Sequence, residues 1–476
     1  MQTQPLYLNG QWHAGHATLD VENPATGEVF AKVATVDRAA VRQAIADAQA
    51  ALPTWRAMNA MQRGDYLLKI ADLLRDRMDL IAETITRENG KPLPQSEGEV
   101  KMSIDHLRWF AEEARRAYGR VVPPQAEGKR HLILRQPVGV VGAIAPWNFP
   151  LVLSVRKIAP ALAAGCPVVL KPASATPLCA VEVAKAIDEA GLPPGVFQLV
   201  LGKASDIAAE MLENPTCRKI TFTGSTEVGK KLIEGAASTV TRLSLELGGH
   251  APLIVFDDAD LDLAVEGAAI TKFRNTGQSC IASNRIYVQE GIHERFVEKL
   301  VKRVRQMKVG NGMTEGVEIG ALVNQAGLDA ALRHIQDAVD RGATVACGGK
   351  RWGSAGYFLE PTLLTHVPDD ALCMTEETFA PVAPIRKFTD EAEAIELANA
   401  TEYGLAAYVY TTHINRGLRV AEQIEAGSVG LNDAVPSTSN CPFGGFKQSG
   451  WGRELGSEGL DAFLETKHVS LGGVDG

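Results

Sequence analysis

Val138-Gly139-Val140-Val141-Gly142-Ala143-Ile144-Ala145 is a compact, uncharged apolar run lying between Pro137 and Pro146, and its reading decides the fold. It reads as a buried strand, and three more follow it: Pro167–Leu170, Phe197–Val200 and Lys219–Thr223. Between them, Ala180–Ala190 and Ser205–Glu213 carry apolar residues at helical spacing and read as crossover helices. This alternation is the pattern of a doubly wound parallel sheet, whose ligands sit at the carboxyl ends of the strands.

A second alternating block follows Glu246. Its expected strands are Leu253–Phe256, Arg285–Gln289, Val382–Phe388 and Gly404–Tyr410. Its expected helices are Asp262–Lys272, His293–Met307, Gln325–Asp340, Glu391–Asn399 and Asn415–Ile424. Ahead of the first sheet, helical spacing covers Asp37–Ala51, Gln62–Glu88 and Glu97–Ala117. The run His131-Leu132-Ile133-Leu134-Arg135 predicts a hairpin strand that leaves the body of its domain. Near the end, Ser457–Leu464 reads as a helix and Thr466–Leu471 as an extended segment.

A chain of 476 residues exceeds one ordinary core, so two or three domains are expected. With 45% hydrophobic and 22% charged residues it is globular, which excludes a disordered chain. A net charge of −9 without a Lys/Arg cluster argues against a nucleic-acid partner. Met1–Gly10 lacks the basic-then-apolar order of a signal peptide. The uncharged stretch Pro137–Val155 has nearly the length of a membrane span, but its three prolines disfavour a spanning helix. Seven cysteines without CxxC spacing predict a reduced, cytoplasmic protein, and no HExxH or Cys/His cluster implies a metal.

Chemistry concentrates in a few places. Cys280 follows Phe273-Arg274-Asn275-Thr276-Gly277-Gln278-Ser279, a segment crowded with polar groups. A helix beginning after Ser279 would help hold its thiolate. Thr223-Gly224-Ser225-Thr226-Glu227-Val228-Gly229-Lys230-Lys231 nearly matches a nucleoside-triphosphate loop, but Lys231 replaces the hydroxyl that would bind magnesium. Gly224 and Ser225 at a helix start remain either a pyrophosphate site or a plain helix cap. At the end of the strand before Pro172, Lys171 and Ser174 stand where a dinucleotide fold usually places a carboxylate; an ammonium and a hydroxyl suit a 2′-phosphate better. Glu246-Leu247-Gly248-Gly249 suggests a tight turn that a substrate or cofactor approaches closely.

The chain resembles the NAD(P)-dependent aldehyde dehydrogenase superfamily over nearly its whole length. The matching blocks are Pro146–Pro150, Lys171–Ser174, Phe222–Gly229, Leu245–Gly249, Gly277–Cys280, Glu376–Val382 and Pro442–Gly450, in family order. The resemblance implies Cys280 as nucleophile, Glu246 as general base, and Asn148 with the Cys280 N–H as oxyanion hole. It places Trp147, Lys171, Ser174, Gly224, Ser225, Glu377 and Phe379 on the cofactor, with Ser174 resembling members that use NADP, alone or alongside NAD. Glu246 favours release of a free acid over acylation of coenzyme A. One departure is Ala380, where the family usually has glycine.

Within the superfamily the chain looks most like succinate-semialdehyde dehydrogenases, in which two arginines and a serine hold the distal carboxylate. Arg156, Arg274 and Ser437 match them, and an arginine fork recognises a carboxylate bidentately. The other reading is that Arg274 pairs with a carboxylate of the protein. Ala282 stands where some members carry a second, disulfide-forming cysteine, so a switch of that form is not available. The implied architecture is α/β: a dinucleotide-binding domain (1–120 and 143–248), a catalytic domain (249–442) and a small β oligomerisation element (121–142 and 457–476). The expected substrate is a small aldehyde, succinate semialdehyde or a close anionic relative such as glutarate semialdehyde; the alternative is a general aldehyde dehydrogenase. The expected assembly is a homodimer or homotetramer.

Overall fold

The computed structural model of the protein describes residues 3–473; residues 1–2 of the expected dinucleotide domain and 474–476 of the oligomerisation element lie outside the described residues. Five parallel strands form the first sheet, in the spatial order Phe197–Leu199, Val168–Lys171, Val140–Ile144, Cys217–Thr223 and Arg242–Glu246. The short Gly450–Trp451 closes the edge antiparallel. In chain order the five run 3-2-1-4-5, so the winding reverses between Val140–Ile144 and Cys217–Thr223. A crevice opens at such a reversal, because the connections on its two sides leave over opposite faces. Every residue of Val140–Ile144 and Val168–Lys171 is buried, which is why these strands read as unbroken apolar runs.

The second sheet repeats the winding. Its parallel strands lie in the order Thr362–Thr365, Val382–Phe388, Ser283–Gln289, Ala251–Val255, Ala406–Tyr410 and Ser428–Leu431, with Thr344–Cys347 antiparallel at one edge. Alternate residues feed two cores: Leu253, Val255, Ile286 and Val288 pack on one face, Ile254 and Tyr287 on the other. A third sheet pairs Leu464–Gly472 with Lys129–Pro137 over nine antiparallel positions, and Arg120–Val122 flanks it. The two segments expected in one small β element, far apart in sequence, are therefore hydrogen-bonded neighbours.

Two expectations are corrected. Gln62–Glu88 is not one helix but two, Ala60–Asp76 and Met78–Asn89, broken at Arg77 (φ −110°, ψ 16°). Arg77, at the break, makes a partly exposed ion pair with Glu189, a tertiary contact that no local spacing announces. Strand Arg242–Glu246 was not expected at all; Glu246 is its last residue rather than part of a turn.

Two long-range helix caps tie the N-terminal helices to the first sheet. Glu88 accepts from the N–H groups of Leu178 (2.7 Å) and Cys179 (3.0 Å), at the start of helix Leu178–Ala190. Glu99 does the same for Leu151 (2.9 Å) and Val152 (3.2 Å), at the start of helix Pro150–Ala164. Neither helix has a side-chain cap of its own, so these carboxylates satisfy N–H groups otherwise orphaned in the interior. Burial pushes Glu88 up to about 8, the two backbone N–H donors opposing it. Because the folded-state value is raised, the contribution of Glu88 is full at low pH and is lost as pH rises through that value. Glu88→Ala is expected to cost about 1–3 kcal/mol in weakly acidic solution and less in alkaline solution, read from urea unfolding at both. An equal or larger loss at alkaline pH would contradict the raised pKa, and no loss at either pH would contradict the cap.

Candidate active site

The carboxyl ends of the first sheet face the amino ends of the second. From the first come the segment after Val140–Ile144, with Trp147 and Asn148; Lys171, ending Val168–Lys171; Gly224 and Ser225, after Cys217–Thr223; and Glu246. From the second come Cys280, just before Ser283–Gln289, and Glu377 and Phe379, before Val382–Phe388. The carboxyl-end rule thus holds for the first sheet alone; the second contributes through the loops that enter its strands.

Two cavities that share lining residues join all of these groups except Glu246. A cavity of about 690 Å³ is lined by Lys171, Ser174, Gly224 and Ser225. A second, of about 240 Å³, is lined by Asn148, Cys280, Glu377 and Phe379. Trp147, Gly224 and Ser225 line both, so they mark the junction. No Asp or Glu lines the larger cavity, whereas Lys171 and Lys231 do. Lys171 is buried, which lowers its pKa, and it makes no ion pair or hydrogen bond among the described residues. An orphaned ammonium in a carboxylate-free slot fits the adenosine end of a phosphorylated dinucleotide. Ser225 caps helix Thr226–Ala236 through Val228 N–H (3.3 Å), so the cap reading is real while its hydroxyl still borders the cleft. Rings of Trp147 and Phe379 meet edge-on at 5.4 Å where the cleft narrows.

Cys280 is half-buried, and the helix expected after Ser279 is absent: residues 280–282 form a turn that runs into the strand. The helix-dipole account of a stabilised thiolate is therefore withdrawn. Burial pushes the Cys280 thiol up to about 12, the Glu377 and Glu246 carboxylates adding to it and Arg156 opposing. Upstream, Asn275 (φ 52°) and Thr276 (φ 57°) are left-handed, a costly conformation for a β-branched residue. Hydrogen bonds hold it there: Gln95 accepts from Asn275 N–H (2.7 Å), and the Thr276 hydroxyl accepts from Gly320 N–H (3.0 Å). The Asn275 amide donates to the carbonyls of Asn148 (2.7 Å) and Gln278 (3.0 Å), and the Asn148 amide donates to the same Gln278 carbonyl (3.2 Å). The Asn148 loop and the Cys280 loop are thereby closed into one hydrogen-bonded ring.

Gly248 and Gly249 have no positive φ, so the tight-turn reading of this pair is corrected. Close packing explains them: a Cβ on Gly249 would lie 2.1 Å from the Cys280 carbonyl oxygen, and one on Gly248 would lie 3.0 Å from Glu377. Glu377 accepts from Gly249 N–H (3.0 Å), and burial pushes it up to about 8. Ala380 is buried without positive φ; the left-handed residue is Phe379 (φ 45°). Glu246 is buried with one carboxylate oxygen unpartnered. Burial, with Glu454 adding, holds its pKa well above the ordinary range. Lys157 lies nearby and bridges Glu454 (2.7 Å) and Thr223 (2.6 Å).

Arg156 and Ser437 come together: Nη2 donates to the serine hydroxyl at 3.1 Å, and the guanidinium lies over the Phe443 ring. Arg156 is buried and its Nε has no partner. Arg274 lies beside the Phe149 ring at 5.5 Å. Among the described residues neither arginine has a carboxylate within ion-pair distance, which removes the alternative that Arg274 pairs within the protein. Sequence reasoning missed Lys91, Glu99, Lys157 and Glu454. Two left a trace: Glu99 sits on the buried stripe of its helix with Val100, Ser103 and Leu107, and Lys157 lies inside an otherwise apolar helix.

A doubly wound dinucleotide cleft that ends on a thiol, an amide and a buried carboxylate defines a cofactor-dependent oxidoreductase acting through cysteine. The aldehyde dehydrogenase family matches residues 12–469. A glutarate-semialdehyde dehydrogenase of Pseudomonas aeruginosa is 47% identical, over 99% of this chain and 98% of that one. The NADP(+) succinate-semialdehyde dehydrogenase of Escherichia coli is 46% identical, over 98% of each. A crystal structure of an E. coli NADP dependent enzyme, 45% identical, superposes with a TM-score of 0.98 over 99% of this chain and 98% of that one. The chain belongs to the aldehyde dehydrogenase family. It is an NAD(P)-dependent aldehyde dehydrogenase.

Because burial raises the thiol, alkylation of Cys280 by iodoacetamide in the cofactor-free protein is expected to rise with pH throughout about 6–9. Peptide-resolved mass spectrometry separates it from the exposed Cys441. A plateau reached below about pH 8 would show that another charge outweighs burial.

Proposed function

We propose that the protein oxidises succinate semialdehyde, or a close anionic aldehyde, to the free acid with NADP. The observation that carries the reading is the pair of guanidiniums, Arg156 and Arg274, lacking any carboxylate partner among the described residues, with Ser437 bonded to Arg156. A buried cation without an anion is costly, so an incoming carboxylate would relieve it, whereas a neutral aldehyde would not. The relative named for glutarate semialdehyde supports a five-carbon substrate as the second reading, since its identity equals that of the four-carbon relatives within a few per cent.

In this reading the Cys280 thiol gives up its proton through Glu246 to solvent and its sulfur forms a bond to the aldehyde carbon, while the Asn148 amide and the Cys280 N–H donate to the resulting oxyanion. NADP, when bound, supplies the hydride acceptor. Glu246 then takes a proton from the water that attacks the thioester, and the sulfur departs with the proton it needs to leave as a thiol. Trp147 and Phe379 would flank the nicotinamide end, Glu377 its ribose, Gly224 and Ser225 the pyrophosphate, and Lys171 and Ser174 the adenosine ribose and its phosphate. The carboxylate-free lining at Lys171 supports NADP over NAD.

Initial rates of cofactor reduction test the reading, with four- and five-carbon semialdehydes and a neutral aldehyde of matched length, each with NADP and NAD. The charged substrates and NADP are expected to be preferred, and Arg274→Leu to lower kcat/KM for the anions by about 10- to 100-fold while sparing the neutral one. Equal rates with the neutral aldehyde would reduce the arginines to a structural role.

The two doubly wound sheets are proposed to be a dinucleotide-binding and a catalytic domain with the boundaries inferred from the sequence. The sheet of Leu464–Gly472 and Lys129–Pro137 is proposed as a cytoplasmic protein's oligomerisation element, since the outer strand leaves an unpaired edge nine residues long. None of the described helices is long and apolar enough to cross a membrane. Size-exclusion chromatography with light scattering should give a dimer or tetramer; a monomeric peak would rule the element out.

A further inference from the structure

The backbone of Asn148 is held from one side by a buried ion pair that takes no part in the chemistry proposed above. Lys91 Nζ lies 2.6 Å from Glu99 Oε2, and neither side chain has any solvent exposure. The same ammonium donates to the Asn148 carbonyl at 2.7 Å and sits 4.0 Å from the centre of the Phe149 ring. Its three donors are therefore spent on a carboxylate, a carbonyl and an aromatic face. The other oxygen of Glu99 accepts from Leu151 and Val152, the first N–H groups of the helix that follows. Residues 148–152 are thus gripped at a carbonyl and at two N–H groups by a single pair.

The side chain of Asn148 has little else to orient it. Its Nδ2 makes one bond of 3.2 Å to Gln278, and its Oδ1 is buried without a partner. Where the amide points is consequently set by the position of its own backbone. Phe149, at the N-cap, offers no side-chain oxygen, so the loop cannot anchor itself. A buried ion pair is a poor route to stability, because an apolar pair of like volume often does as well; what it supplies is a unique geometry.

We propose that Lys91 and Glu99 are positioning residues for the oxyanion hole, fixing the Asn148 backbone so that the amide is aimed at the developing oxyanion. This rests on the reading of Asn148 as oxyanion donor. Lys91 and Glu99 touch neither substrate nor cofactor in this account; they act through Asn148.

A double-mutant cycle on the hydride step tests it, read as the single-turnover rate of NADPH formation. The proteins are the wild type, Lys91→Met/Glu99→Leu, Asn148→Ala and the triple variant. Removing both charges together avoids stranding either in the interior. The pair's removal should slow the burst by roughly tenfold or more in the wild-type background and by less than about twofold once Asn148 is alanine, because the group it positions is gone. Equal losses in the two backgrounds, or no loss in the wild type, would overturn the proposal while leaving Asn148 its role. An unimpaired Asn148→Ala would instead sink the oxyanion reading and the proposal with it. Should the double variant not fold, Lys91→Met/Glu99→Gln enters the same cycle; it keeps the volume of Glu99 and removes both charges, and the same two outcomes decide.

Discussion

The carbonyl oxygen of Asn148 accepts from Lys91 at 2.7 Å and from Asn275 at 2.7 Å, with the Asn89 amide at 3.5 Å. These donors come from three places: an N-terminal helix end, the turn after it, and the loop that enters a strand of the second sheet. One oxygen atom therefore joins the first sheet, the helical layer over it and the loop that carries Cys280. A hydrogen bond to a charged donor is worth roughly 1.5–3 kcal/mol, and stranding a buried charge costs more, so the junction resists drift of any of its parts. The geometry of the cleft follows, because Cys280 and Asn148 can be brought together only if the two sheets keep their register.

Charge is distributed around this junction according to whether a partner is present. Lys91 and Lys157 are buried and each is matched by a carboxylate, Glu99 and Glu454. Lys272 is also buried but has neutral acceptors, Asn284 (2.7 Å) and Thr378 (2.9 Å), and burial lowers it to about 7. Arg285 likewise donates to the carbonyls of His250, Leu397 and Ala398. Lys171, Arg156 and Arg274 differ: Lys171 borders the larger cavity, Arg156 keeps an unpartnered Nε, and Arg274 lies beside the Phe149 ring. The cations that hold the frame are satisfied, and those proposed to meet ligands are not paired with carboxylates among the described residues. Carboxylates show the complementary pattern, since Glu246 and Glu377 are raised by burial and remain available to protons, as acid–base and cofactor-contacting groups require.

Much of the fold was legible because its signals are local. Strand Val382–Phe388 and helices Gln325–Asp340 and Glu391–Asn399 lie where apolar spacing places them. The candidate cofactor residues were legible because turns at strand ends use restricted residue types: Gly224 and Ser225 precede a helix, and Lys171 closes a strand. Failures came where a distant partner sets the conformation. The helix break at Arg77 lies at a contact with the distant Glu189, and after Ser279 the chain turns into a strand of the second sheet.

By itself the sequence determined the class of fold, the order of its elements, and the candidate thiol and amide, Cys280 and Asn148, that line one cavity. Periodicity and turn chemistry act over a few residues, and the chain carries them openly. Tertiary structure alone decided the electrostatics: that Cys280 has no helix to lower its pKa, that Arg156 and Arg274 lack carboxylate partners among the described residues, and that Lys91 and Glu99 meet over Asn148. Burial and pairing are properties of neighbours brought in from far along the chain, and no window of sequence contains them.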